Sequence, residues 1–167
     1  AQVISDLGVA SVNVTPVVLW RLANATSTST AGNTVLAIAP IPANTMDSSS
    51  HIECYALWSC NGTTTNKQTR TQLCQAGNEA TATSYRGCFS GTNNTIGESL
   101  CIISQVGSTT RQIGSRFDTV AYGGGNTGSG VITGFNSELA MSVVFMGNSG
   151  TTTESLTLEN AYVVYYP

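Results

Sequence analysis

Residues 51–60 read HIECYALWSC. Two incompatible readings fit this stretch, and the choice between them decides the fold class. It holds the chain's one histidine, a glutamate two residues on, and two of the five cysteines. Those residue types ligate zinc. Set as a strand, however, the stretch sorts cleanly by face. Ile52, Cys54, Ala56, Trp58 and Cys60 fall on one side, and His51, Glu53, Tyr55, Leu57 and Ser59 on the other. The first face is wholly apolar, because a thiol packs as a small hydrophobe. The cysteines therefore point away from His51 and Glu53, and one strand cannot bring all four to one ion. Nor can Cys54 and Cys60 bridge: they lie about 20 Å apart along a strand, while a disulfide needs Cα atoms within about 7 Å. The stretch reads as a core strand. Asn61-Gly62 follows it and predicts a hairpin.

The same alternation recurs along the chain. Strands are predicted over 8–14, 17–23, 34–39, 67–74, 83–89, 98–105, 112–120, 130–135, 138–146 and 155–166. Between them lie the turn clusters TSTSTAGN, NGTTTN, SGTNNT, YGGGNTGSG and GNSGTTT. Segments 26–33 and 122–130 read as loops. No long helical periodicity and no domain linker interrupts the pattern. The expectation is an all-β chain, with residues 1–167 forming one β-sandwich of jelly-roll type.

Composition narrows the function. Charged residues make up 9% of the chain and the net charge is −3, with six basic residues scattered. A nucleic-acid binder needs clustered Lys and Arg to neutralise phosphates, so nucleic acid is not an expected partner. No apolar run approaches the roughly 20 residues of a membrane-spanning helix, and no membrane association is expected. The N-terminus lacks the charged and apolar regions of a signal peptide; Ala1 fits a chain that has lost its initiator Met, or a processed fragment. The five cysteines, Cys54, Cys60, Cys74, Cys88 and Cys101, are odd in number and contain no C-x-x-C pair. They read as mostly buried free thiols made in a reducing cytoplasm. Sequons at Asn13, Asn24, Asn61 and Asn93 are expected by chance in so Asn- and Thr-rich a chain.

Candidate chemistry is sparse. The H-x-E of a zinc deaminase is present without its P-C-x-x-C half. The loop MGNSGTTT (146–153) is similar to the nucleophile loop of chymotrypsin-like serine proteases, and His51, Asp118 and Ser149 occur in that family's order. That order is cheap to satisfy when serines abound, and His51 opens a strand rather than sitting in a loop. YGGGNTGSG lacks the G-K-[ST] of a phosphate loop. Glu53, Glu98 and Glu138 all lie on expected strands, but no spacing singles out two as a glycosidase pair. The sequence assigns no catalytic, metal-binding or cofactor-binding residue, and the chain is not expected to be an enzyme. Trp20 alternates with Val18 and Leu22 and is expected in the core. Tyr55, on the mixed face with His51 and Glu53, is an interface candidate. Tyr162, Tyr165 and Tyr166 join it, because AYVVYYP alternates as poorly as a strand buried on both faces.

Two segments carry a resemblance. IPANTMDSSSHIECYALWSCNGTTTNKQTRTQL (41–73) and ESLTLENAYVVYYP (154–167) resemble virion proteins of tailed bacteriophages. In those, an I-P-A-x-T phrase precedes a strand, a Lys-x-x-Arg strand follows an Asn-rich turn, and a T-L-E strand closes the domain. The resemblance implies a jelly-roll or β-sandwich domain of a capsid decoration protein, head fibre or tail fibre, commonly trimeric. It implies a virion location after assembly in the host cytoplasm, with the major capsid protein or other virion proteins as partners. Lys67 and Arg70, on opposite strand faces, become further interface candidates, one toward a neighbour and one toward solvent. The leading expectation is a head-decoration homotrimer, favoured by a self-contained chain with no visible shaft. The alternative is a tail- or head-fibre domain binding host-surface glycans through loops such as 91–97 and 122–130.

Overall fold

Thr, Ser, Val and Ile suit extended backbone: branched or short polar side chains pack on a pleated surface and crowd a helix. The computed structural model describes residues 15–47, 50–61, 67–79, 83–90, 95–104, 111–119, 131–133 and 136–167. The expected strand 8–14 and the loop 122–130 lie outside them. The described elements are β1 (Val17–Arg21), β2 (Thr26–Thr28), β3 (Thr34–Ile41), β4 (His51–Cys60), β5 (Lys67–Gln75), β6 (Thr83–Ser90), β7 (Thr95–Ser104), β8 (Arg111–Thr119), β9 (Val131–Thr133), β10 (Met141–Asn148) and β11 (Leu156–Tyr166). All pairings are antiparallel. One sheet runs β1-β11-β4-β7-β8-β9, with β2 also on β11; the other runs β3-β10-β5-β6.

The order follows from rolling one long antiparallel ribbon. β1 and β2 lie end to end along β11. β3 then pairs β10, β4 pairs β7, and β5 pairs β6. The pairs are nested from the chain ends inward, and the pairs alternate between the two sheets. This is the jelly roll, an all-β sandwich as the sequence predicts.

Two local readings need correction. Asn61-Gly62 does not turn a hairpin, because β4 and β5 belong to different sheets. Asn61 instead ties the end of β4 to the start of β11: its N–H donates to the Ser155 carbonyl at 3.1 Å, and its Oδ1 accepts from the Ser155 N–H at 2.6 Å. Segment 26–33 is not all loop, since Thr26–Thr28 pairs with Leu158–Leu156. The turn 136–140 also delays β10 beyond the expected start. There Asn136 Oδ1 accepts from the Glu138 N–H at 3.0 Å, an Asx turn that competes with strand.

The core fills the space between the sheets. β4 contributes Ile52, Cys54, Ala56, Trp58 and Cys60, all buried, so the face read from the sequence is the inner one. Met141, Val143 and Phe145 of β10 meet them with Leu73, Leu156 and Leu158. Trp20 packs at the rim, its ring stacked on Phe145 at 5.7 Å. Each large apolar side chain so buried contributes about 1.5–3 kcal/mol. Cys54, Cys60 and Cys74 are buried, and burial pushes the Cys74 thiol up to about 11. Gly147 lets the layers close: a Cβ there would stand 2.9 Å from Leu156 Cδ2 and 3.1 Å from Leu36 Cδ1.

The inner face of β5 is unusual. It reads Lys67, Thr69, Thr71, Leu73, and all four are buried. Lys67 is 0% exposed, and its Nζ donates to Glu154 Oε2 at 2.5 Å. Glu154 stands just before β11, so this pair links the smaller sheet to the edge of the larger one. An ammonium is tolerated in such a place only when a carboxylate meets it. Removing one partner strands the other, which costs about 3–5 kcal/mol. Lys67→Met is therefore expected to lose stability on that scale in urea denaturation. Lys67→Met combined with Glu154→Leu is expected to recover part of the loss. Equal loss in the single and double variants would show that the pair itself is not the cause.

Candidate functional site

The outer face of β4 carries His51, Glu53 and Tyr55 in alternation. The register with β11 sets Tyr166 opposite His51, Val164 opposite Glu53, and Tyr162 opposite Tyr55. Residues directly opposed across an antiparallel pair share a face and touch. The rings accordingly stack in two cross-strand pairs. His51 and Tyr166 lie 4.6 Å apart and tilt by 2°; Tyr55 and Tyr162 lie 4.7 Å apart and tilt by 21°. Four residues separate the rows along the strands, about 13 Å. On the far side of Tyr162, β1 places the Arg21 guanidinium 5.9 Å from the ring centre, in cation–π range.

Glu53 stands between the rows and joins them. Tyr55 donates its phenol hydrogen to Glu53 Oε2, and His51 Nε2 lies 3.7 Å from Oε1. The accepting carboxylate holds the Tyr55 phenol well above the usual range, with burial adding to the effect. Tyr166 is raised too, first by burial and then by Glu53. Both phenols stay protonated at neutral pH and act as donors. A phenol so held is a poor nucleophile, because the phenolate is the reactive form. The site remains partly open, with His51 and Glu53 side chains 33% and 26% exposed.

A bulge makes this face. The register of β11 slips between Leu158 and Asn160, so the extra residue resets the alternation. Leu156 and Leu158 point inward before it, Ala161 and Val163 after it. Glu159, the inserted residue, accepts the Ser59 hydroxyl on the outer side. Within 161–166 the adjacent Val163 and Val164 are both buried, as the poor alternation predicts, while Tyr162 and Tyr166 are only partly buried.

The six sequence-derived interface candidates separate. Tyr55, Tyr162 and Tyr166 converge on this face. Tyr165 does not: it opposes Ile52 and packs against the core. Lys67 faces neither a neighbour nor solvent, because it is fully buried against Glu154. Arg70 belongs to the other sheet, half-buried, and donates to Gln68 Oε1 at 2.9 Å. Arg21, which completes the site, was missed. Its contact with Tyr162 depends on the β1–β11 register, which joins distant parts of the chain.

The protease-like set is not assembled. His51 pairs with Tyr166 at the end of β11. Ser149 follows β10 toward the opposite end, where β11 begins beside Cys60. The length of β4 between these ends is about 30 Å. Ser149 is fully buried, and its hydroxyl lies between the carbonyls of Thr30, at 3.0 Å, and Thr151, with one hydrogen to share between them. It fastens the loop. Glu138 sits in a turn rather than a strand. Among the described residues no group of three His, Cys, Asp or Glu is placed to hold a metal.

No family model and no curated protein matches the chain. Among solved structures it is similar to the CBM2 module of the evolved Dit of Lactobacillus casei BL23 phage J-1. The identity is 10% and the TM-score 0.37, over 93% of this chain and 98% of that one. It is also similar to the infectious bursal disease virus Gx strain structure, at 12% identity and TM-score 0.28, over 92% of this chain and 35% of the other. At these scores neither likeness bears on function.

Two outcomes check the site. A difference titration of wild type against Tyr55→Phe is expected to show the Tyr55 phenol ionising above the ordinary value of about 10, and Glu53→Gln is expected to bring it down. Because the folded phenol holds its proton more tightly than the unfolded one, stability falls as pH rises past about 10; Glu53→Gln shallows that fall. Separately, a fluorophosphonate serine probe is expected to leave Ser149 unlabelled in the folded chain. Labelling abolished by Ser149→Ala would restore the protease reading.

Proposed function

We propose that this protein is a non-enzymatic structural protein of a virus exterior, and that the outer face of the larger sheet is its contact surface. The observation that carries the reading is the arrangement of Tyr55, Tyr162, Tyr166 and His51 in two stacked rows on a partly open sheet face. Aromatic side chains held this way offer large contact area at small entropic cost. Among the described residues the face carries no activated nucleophile. The virion setting is supported by the sequence resemblance of segments 41–73 and 154–167 to tailed-phage virion proteins.

Two roles suit such a surface: clamping capsid neighbours as a decoration protein, or attaching the particle to its host. Glu53 favours attachment. Cores of protein interfaces are depleted in charged residues, acidic ones especially, and here a carboxylate occupies the middle of the patch. A homotrimer is consistent with either role.

Immunogold electron microscopy of virus particles from the source, with antibody against this chain, tests the proposal. Gold on the particle exterior is the expected result. A tail-tip or fibre location supports attachment, and a head-lattice location supports decoration. No gold on any particle overturns the virion reading.

A further inference from the structure

We propose that the face formed by Arg21, His51, Glu53, Tyr55, Tyr162 and Tyr166 binds a neutral oligosaccharide. The inference rests on reading that face as the contact surface, and it names the ligand class.

Sugar rings present apolar C–H surfaces rimmed with hydroxyls. A site for them needs aromatic surface interleaved with hydrogen-bond donors and acceptors at fixed positions. Both are present. The two ring pairs are locked by stacking across strands, so little side-chain freedom is lost on binding. The phenols of Tyr55 and Tyr166 turn their hydrogens toward Glu53, which leaves their oxygens to accept from sugar hydroxyls. An ionised carboxylate has about four lone-pair positions, so Glu53 retains acceptor capacity beyond the Tyr55 and Tyr166 hydroxyls and His51. The Arg21 fork adds donors at the margin, beside Tyr162. The two rows, joined by Glu53, form one strip whose backbone positions span about 13 Å along the strands, longer than one sugar ring, and so select an oligosaccharide over a monosaccharide.

Charge selects neutrality. A phosphate or a sugar acid laid across both rows would meet Glu53 at close range, where like charges repel. Arg21 lies beyond Tyr162 and does not face the centre of the patch. A nucleic acid is disfavoured on the same ground and by the net charge of −3.

The test is a printed array of neutral and acidic oligosaccharides probed with the full chain, with calorimetry on any hit. Neutral oligosaccharides are expected to bind. Tyr162→Ala and the near-isosteric Glu53→Gln are each expected to weaken binding at least tenfold, with near-ultraviolet circular dichroism reporting that both variants fold. Arg70→Ala, on the other sheet, is expected to leave affinity unchanged. The proposal is overturned by binding of acidic glycans alone, by binding that survives both site variants in folded protein, or by no binding at millimolar ligand. Gold on particles together with a blank array would reject the ligand and keep the virion setting. Glycan binding with no gold on particles would do the reverse.

Discussion

The register of β11 on β4 is the constraint on which the rest of this structure depends. It runs from Leu156 opposite Cys60 to Tyr166 opposite His51, with one slip at Glu159. A shift by one residue would exchange the faces of the strand, sending Tyr162 and Tyr166 into the core and Val163 outward. Two features fix it. Inward, Leu156, Leu158, Ala161 and Val163 fill the same layer as Ile52, Cys54, Ala56 and Trp58. Outward, each ring on β11 finds a ring on β4. The bulge reconciles the two, since no unbroken alternation places both Leu158 and Ala161 inside.

Fold and aromatic face are consequently one construction. β11 is shared by three neighbours: β4 on one side, β1 and β2 on the other. It therefore gathers Arg21, Tyr162 and Tyr55 from segments far apart in sequence. The Lys67–Glu154 pair works at the other end of the same strand. An apolar pair there is compatible with a stable sandwich, but a buried charge accepts only one partner. It penalises any docking of the two sheets that separates β5 from the start of β11. With an interior of small Thr and Ala side chains on β3 and β5, such selectivity supplements shape.

What was legible in the sequence was local. Alternation gave both faces of HIECYALWSC, the strand positions and the all-β class, because period two is written in adjacent residues. The failures were nonlocal. Thr26–Thr28 has the composition of a turn and became a strand only through β11. Asn61-Gly62 carries a hairpin signal that the crossing between sheets overrides. Tyr165 and Tyr166 are neighbours on opposite faces, and which of them turns inward is set by a bulge at a glutamate with nothing in its identity to announce it. Lys67 alternates with threonines, which suit an exposed face equally well; the ion pair with Glu154, 87 residues away, is invisible to a local reading.

The site was half legible for the same reason. His51, Glu53 and Tyr55 lie on one strand face and were seen together; their partners were not. The shared carboxylate then sets the character of the face. A Tyr–Glu pair in a cleft is a motif for covalent chemistry when a second group draws the phenol hydrogen away. Here Glu53 accepts hydrogens from its own neighbours and leaves the phenols protonated. The same hydrogen bond that disarms Tyr55 as a nucleophile fixes its ring against Tyr162 and keeps a donor and an acceptor side by side. Rigid rings, protonated phenols and a carboxylate hydrogen-bonded within the face give this part of the sheet a fixed pattern of polar groups.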